Sequence, residues 1–146
     1  MNMMLYFAYG SNLDETQMKE RCPESELIAP GWILDYKLCF TRYSPRWSGG
    51  VADIVKDEGS VVWGLVYEIS AADLESLDRY EGHPDMYTRF PVTVLGHEQT
   101  YPDAWVYEVV DRAEHIPPTQ EYLNIIKHAA RRHRFPADYQ KYLDRF

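Results

Sequence analysis

Two short stretches of this chain carry residue types that could do chemistry. The first, Tyr6-Phe7-Ala8-Tyr9-Gly10-Ser11-Asn12-Leu13, runs from an apolar segment into a glycine, a serine and an asparagine, with Glu15 three residues after Asn12. Asn12 and Glu15 match a capping box. The backbone N–H groups from Gly10 to Leu13 would then stand open at a helix N-terminus, where unpaired donors and the helix dipole favour an anion. Gly10, lacking a Cβ, would let a ligand approach the backbone closely. A tight strand-to-helix turn with an ordinary cap has the same pattern. Ser11 as a nucleophile is the weaker alternative: an elbow of that kind has glycines on both sides, and here Leu13 stands in the place of the second.

The second stretch is Leu77-Asp78-Arg79-Tyr80-Glu81-Gly82. Glu81 falls at the C-terminal end of a helix, where the macrodipole disfavours a carboxylate, and Asp78 one turn earlier adds like-charge repulsion. Both raise its pKa, and burial among aromatic residues would raise it further. A carboxyl tuned toward neutrality suits general acid–base work. A solvent-exposed glutamate ending a surface helix reads the same way.

Metal chemistry finds little support. His83, His97, His115, His128 and His133 include no pair spaced to share a helix face, and Cys22 and Cys39 lack zinc spacing. The one basic run, Lys127, Arg131, Arg132 and Arg134, fits the last turns of a helix, where cations complement the dipole.

The elements that must position these residues follow from periodicity and punctuation. An apolar strand over 4–9 leads to a helix starting near Leu13 and fading near Arg21. Strands are expected over 32–43, 50–55 and 61–69, with Asp57-Glu58-Gly59 as a turn between the last two. Ser70 with Asp73 reads as an N-cap, and Gly82 stops the helix that follows. Strands follow over 86–95 and 101–110, with Pro91 marking an edge or bulge. A helix runs from Thr119 to about His133 with Tyr122, Ile125, Ile126, Ala129 and Ala130 on one stripe, and Pro136 opens a final short helix. The sum is an α+β domain on a small, curled, mostly antiparallel, barrel-like sheet with a few short helices.

Composition sets the frame. At 146 residues, with 45% apolar and 26% charged residues, the chain reads as one domain, 1–146, able to bury a core without staples. Fifteen Lys and Arg against 23 Asp and Glu give a net charge of -8, which disfavours a nucleic-acid partner. The opening MNMMLYFAYG lacks a basic region and an adequate apolar stretch for a signal peptide, and no run is long enough to span a membrane. The expected location is cytoplasmic, with both cysteines as reduced thiols.

In order along the chain, Tyr9-Gly10-Ser11-Asn12, Gly49-Gly50-Val51-Ala52, Val62-Trp63-Gly64, Leu77-Asp78-Arg79-Tyr80-Glu81-Gly82, Met86-Tyr87, Tyr122 and Pro136-Ala137-Asp138-Tyr139 resemble the γ-glutamyl cyclotransferase family, the AIG2-like proteins and their butirosin-type relatives. The resemblance implies a mixed α/β fold with a β-barrel-like core and a ligand cavity. It implies Glu81 as the catalytic acid–base residue and Tyr6, Ala8, Tyr9, Gly10, Ser11, Asn12, Tyr87 and Tyr122 as substrate-binding residues. The implied partner is a small γ-glutamyl compound, cyclised to 5-oxoproline with release of an amine or amino acid, with no cofactor, no metal, no nucleic acid and no membrane. A monomer or homodimer is expected. The loop from Arg42 to Ser48 would border the pocket mouth, where Arg42 or Arg46 either meets a second substrate carboxylate or stays solvated. The alternatives are a non-catalytic binding protein for a small carboxylated ligand and a serine hydrolase using Ser11.

Overall fold

Phe7 and Ala8 are fully buried, which places the first strand at the heart of the molecule. The computed structural model describes residues 3–146. Its elements are β1 (Met4–Ala8), a 3-10 turn (Ser11–Leu13), α1 (Glu15–Arg21), β2 (Glu26–Ser44), β3 (Gly49–Ile69), α2 (Ala71–Glu81), β4 (Tyr87–Leu95), β5 (Thr100–Val109), α3 (Gln120–Arg132) and α4 (Ala137–Leu143). The strands close a barrel in the order β1-β3-β2-β4-β5. All pairings are antiparallel except β1 with β5, which meet in parallel where Tyr6 faces Trp105. The expected α+β architecture on a curled, mostly antiparallel sheet is thus the observed one. Among the described residues no helix is long and apolar enough to cross a membrane.

β2 and β3 form one long hairpin, and here the structure corrects the sequence reading. Residues 50–55 and 61–69 are a single strand, not two strands joined by a turn. The register jumps from Leu34 opposite Val61 to Tyr36 opposite Lys56, so Asp57-Glu58-Gly59 is the excursion of a bulge. Gly59, at φ 87°, tolerates that excursion, and its amide donates to the Asp35 carboxylate at 3.0 Å. Pairing resumes on both sides because the β-forming residues of β2 continue alongside. Trp32 and Trp63 stack across the hairpin with ring centroids 4.7 Å apart. Pro91 is exposed on β4, and a register shift follows between Val92 and Val94, as its position suggested.

The helix starts differ in detail. α1 begins at Glu15 and is capped by Asp14, whose carboxylate accepts from the Thr16 and Gln17 amides at 3.0 and 3.3 Å. The Asn12–Glu15 capping box is therefore not formed, and residues 11–13 make one 3-10 turn instead. Aspartate directly before the helix wins because its short carboxylate reaches two free amides at once. The capping box that does form belongs to α2: Ser70 accepts from the Asp73 amide at 3.1 Å and the Asp73 carboxylate accepts from the Ser70 amide at 3.2 Å. Gly82, at φ 65°, ends α2 directly after Glu81. α3 buries Tyr122, Leu123, Ile126, Ala129 and Ala130, while Ile125 is only partly covered. Pro136 caps α4 one residue before its first turn.

Candidate active site

The 3-10 turn, the C-terminal end of α2, the start of α3 and the tip of the β2–β3 hairpin converge on one cavity of about 390 Å³. That size lies at the small end of ordinary ligand pockets. Tyr6, Tyr9, Gly10, Ser11, Asn12, Glu81, Tyr87 and Tyr122 all line it, so the two chemistry-bearing stretches, far apart in sequence, face one space. Ala8 does not line it. Its side chain is fully buried, it pairs with Leu65 of β3, and its carbonyl sits against Gly64.

Glu81 is the last residue of α2, and Gly82 turns the chain away behind it. Burial pushes its carboxyl up from 4.5 to about 7, opposed in part by the Arg21 guanidinium. Among the described residues its carboxylate accepts no hydrogen bond, and the Arg21 guanidinium is the charge that favours its ionised form. The expected push from Asp78 is absent because that charge is already held. Arg89 donates to Asp78 from Nε at 2.9 Å and Nη2 at 3.2 Å, and the Tyr107 hydroxyl donates at 2.7 Å. Partial burial alone would raise Asp78, but these hydrogen bonds outweigh it and hold the carboxyl below its ordinary value.

Side chains brace the loop at Gly10–Leu13. Asn12 Nδ2 donates to the Tyr6 hydroxyl at 3.0 Å, while Asn12 Oδ1 accepts from Gln17 Nε2 at 3.0 Å and Arg21 Nη1 at 3.1 Å. Gln17 Nε2 also donates to Ser11 Oγ at 3.0 Å. The loop amides of Gly10 and Asn12 find no acceptor among the described residues. A Cβ on Gly10 would come within 3.0 Å of the Ala52 Cβ and 3.1 Å of the Tyr122 hydroxyl, so close packing explains the glycine.

The opposite wall is tied together through Ala52. Its amide donates to the Tyr122 hydroxyl at 3.0 Å, and its carbonyl accepts from the Tyr87 hydroxyl at 2.9 Å. The Tyr9 hydroxyl donates to the Tyr107 carbonyl at 2.7 Å. Burial raises the pKa of Tyr6, Tyr9, Tyr87 and Tyr122, so these hydroxyls stay neutral. Tyr122 accepts at its oxygen, which leaves its own O–H free to donate into the cavity.

The sequence reading missed several participants. Arg21 and Tyr107 line the cavity, and Gln17 and Asp53 brace it from behind. Arg21 ends α1 and reads from sequence as a cation complementing a helix dipole. Tyr107 lies in an aromatic strand with no marker of its own. Arg42, Arg46 and Trp47 also line the mouth, as the loop's position suggested.

The family model described as gamma-glutamyl cyclotransferase, AIG2-like, matches residues 6–125. The chain is 34% identical over 145 residues to the bovine gamma-glutamylcyclotransferase, covering 96% of this chain and 77% of that one. The human gamma-glutamylcyclotransferase is likewise 34% identical, over 144 residues, covering 95% of this chain and 76% of its own. A solved structure named gamma-glutamyl cyclotransferase superposes with a TM-score of 0.90 at 32% identity, covering 98% of this chain and 87% of that one. On this match of sequence, fold and length, the chain belongs to the γ-glutamyl cyclotransferase, AIG2-like family of cyclising enzymes.

Proposed function

We propose that the protein closes a γ-glutamyl compound onto itself, releasing 5-oxoproline and the amine or amino acid once attached at the γ-carbonyl, with Glu81 as the proton carrier. One observation carries this: a carboxyl with a pKa of about 7 and no hydrogen-bond partner among the described residues shares a cavity of ligand size with the free loop amides. The glutamyl α-amine is largely protonated near neutrality, so Glu81 as carboxylate first removes a proton from it. The freed amine attacks the γ-carbonyl carbon of the same molecule, forming the lactam C–N bond and an oxyanion. Protonated Glu81 gives its proton to the departing nitrogen, the regenerated carboxylate takes the extra proton from the ring nitrogen, and collapse of the oxyanion breaks the original C–N bond, leaving a neutral lactam, the free amine and one proton on Glu81 for release to solvent. Nucleophile and electrophile are already joined, so holding them near attack geometry can contribute up to about 7–11 kcal/mol.

The Gly10 and Asn12 amides and the Tyr122 hydroxyl are donors available to the substrate carboxylate and to the developing oxyanion. The loop offers these donors one 3-10 turn ahead of α1, so they are not the first amides of that helix. Against a serine hydrolase, Ser11 Oγ takes its hydrogen bond from the Gln17 amide group, a donor that is no base. Against a binding protein without catalysis, Glu81 has a raised pKa and, among the described residues, no ion-pair or hydrogen-bond partner, an arrangement that ligand binding alone does not require.

Purified protein incubated with a panel of γ-glutamyl amino acids and γ-glutamyl-ε-lysine, with 5-oxoproline quantified by mass spectrometry, tests the reading. The expected result is product from the wild type and none above background from Glu81→Gln. Equal product from both proteins would remove Glu81 from the mechanism.

A further inference from the structure

The cavity is charged unevenly. At one end Arg21 stands beside Glu81, tied to Asn12 at 3.1 Å and lying over the Tyr80 ring at 4.4 Å. At the other end, on the β2–β3 hairpin, stands Arg42. It lies near enough to Tyr87 to act on its hydroxyl, which is itself bound to the Ala52 carbonyl of the same hairpin at 2.9 Å.

Arg42 is half-buried, and among the described residues it makes no ion pair. A half-buried guanidinium costs desolvation that a carboxylate partner ordinarily offsets. The buried acid on that side is already occupied. Asp53 accepts from the Thr41 hydroxyl at 2.7 Å, the Ile54 amide at 2.8 Å, the Val109 amide at 2.9 Å and Arg112 Nε at 2.9 Å. The backbone places Arg42 here by a bulge. The register slips between Phe40 opposite Ala52 and Arg42 opposite Val51, and both Ala52 and Val51 line the cavity. Bulges re-aim side chains beside functional sites. Arg46, by contrast, is exposed at the rim over the Trp47 ring at 5.5 Å, where solvent screens its charge.

We propose that Arg42 is a specificity residue of this chain, whose guanidinium pairs with the carboxylate of the leaving group. The inference rests on the cyclotransferase reading. If the glutamyl amine reaches Glu81, the carboxylate on the same carbon lies at that end too, within reach of the loop amides and Arg21. The group leaving from the γ-carbonyl then extends toward the hairpin, where an unpaired guanidinium meets a free carboxylate.

The test uses a matched pair, γ-glutamyl-alanine and γ-glutamyl-alaninamide, which differ by one carboxylate. Turnover is measured in the wild type, Arg42→Gln and Arg42→Lys. Binding of both compounds is measured by calorimetry in Glu81→Gln and in Glu81→Gln/Arg42→Gln. The expected result is a wild-type preference for γ-glutamyl-alanine, reduced about tenfold or more in Arg42→Gln and largely kept in Arg42→Lys, with the same shift in the binding ratio. A ratio that Arg42→Gln leaves unchanged, or an equal loss on both compounds, overturns the proposal. Absence of turnover in the wild type would defeat the cyclotransferase reading, while the binding ratio still judges Arg42. Failure of both compounds to bind overturns both.

Discussion

Arg89 of β4 grips both carboxylate oxygens of Asp78, at 2.9 and 3.2 Å, one helical turn before Glu81. The pair screens Glu81 from a negative charge that the helix would otherwise present to it. Replacing Arg89 by Gln releases that charge and moves the pKa of Glu81 further up. The acid limb of the kcat/KM profile against pH should then shift to higher pH than in the wild type. Arg89 also lies over the Trp105 ring at 4.3 Å, so some stability is lost as well. A limb that stays in place while the melting temperature falls would show that the pair is only structural.

Glu81 itself links activity to stability with a defined sign. Its carboxyl titrates near 4.5 when unfolded and near 7 when folded. Between those values the folded protein binds more protons, so the contribution of Glu81 to stability is full below about pH 4.5 and is lost as pH rises through 7. Glu81→Gln cannot ionise and escapes that loss. Its melting temperature should therefore rise relative to the wild type between pH 5 and pH 8, while cyclisation disappears. The wild type's kcat/KM should fall as pH drops below about 7, since the base must be ionised. A melting-temperature difference that does not change with pH would mean that Glu81 is not desolvated.

How much of this was legible in the sequence divides by the range of the interaction. Ser70 with Asp73 and Gly82 after Glu81 are local signals, and the helix they bound was correctly placed. The break expected at Asp57-Glu58-Gly59 failed because a bulge and a turn use the same residues, and only the partner strand decides between them. Asp14 displaced Asn12 as the cap of α1 because Asn12 is engaged by Tyr6, Gln17 and Arg21, contacts that no residue spacing announces. The raised pKa expected of Glu81 is there for a partly different reason: burial raises it, whereas the charge of Asp78 is held by an arginine of β4. Ala8 shares its segment with cavity residues, yet the pairing with β3 turns it into the core.

The loop acts through its backbone in the proposed mechanism, which orders two substitutions. Ser11→Ala removes only an acceptor for Gln17 Nε2, which keeps its other acceptor on Asn12, so kcat/KM should stay within about threefold of wild type. Gly10→Ala brings a methyl against Ala52 and the Tyr122 hydroxyl, forcing apart two walls of the cavity. It should lose activity at least about tenfold while still folding, as circular dichroism would report. The reverse order, with Ser11→Ala dead and Gly10→Ala active, would revive the nucleophilic serine.

Asp53 is absent from the cavity lining, yet it fastens the segment that delivers Tyr122. It is fully buried and takes hydrogen bonds from two backbone amides, Thr41 and Arg112. Arg112 opens the stretch along which the Ala113 amide donates to the Thr41 carbonyl at 2.8 Å and the Ile116 amide to the Phe40 carbonyl at 2.9 Å, before α3 begins. In Asp53→Asn one oxygen becomes an NH2 group facing donors, so a buried acceptor is lost on at least one side. The expected cost is about 2–4 kcal/mol of stability by denaturant unfolding, against about 1 kcal/mol for Thr41→Val, which removes a single bond. Activity per folded molecule should fall through a looser Tyr122, whereas the pH midpoint set by Glu81 should not move. A shifted midpoint would place Asp53 in the proton transfer itself, and an unchanged stability would mean that the 110–119 segment is held by its backbone hydrogen bonds alone.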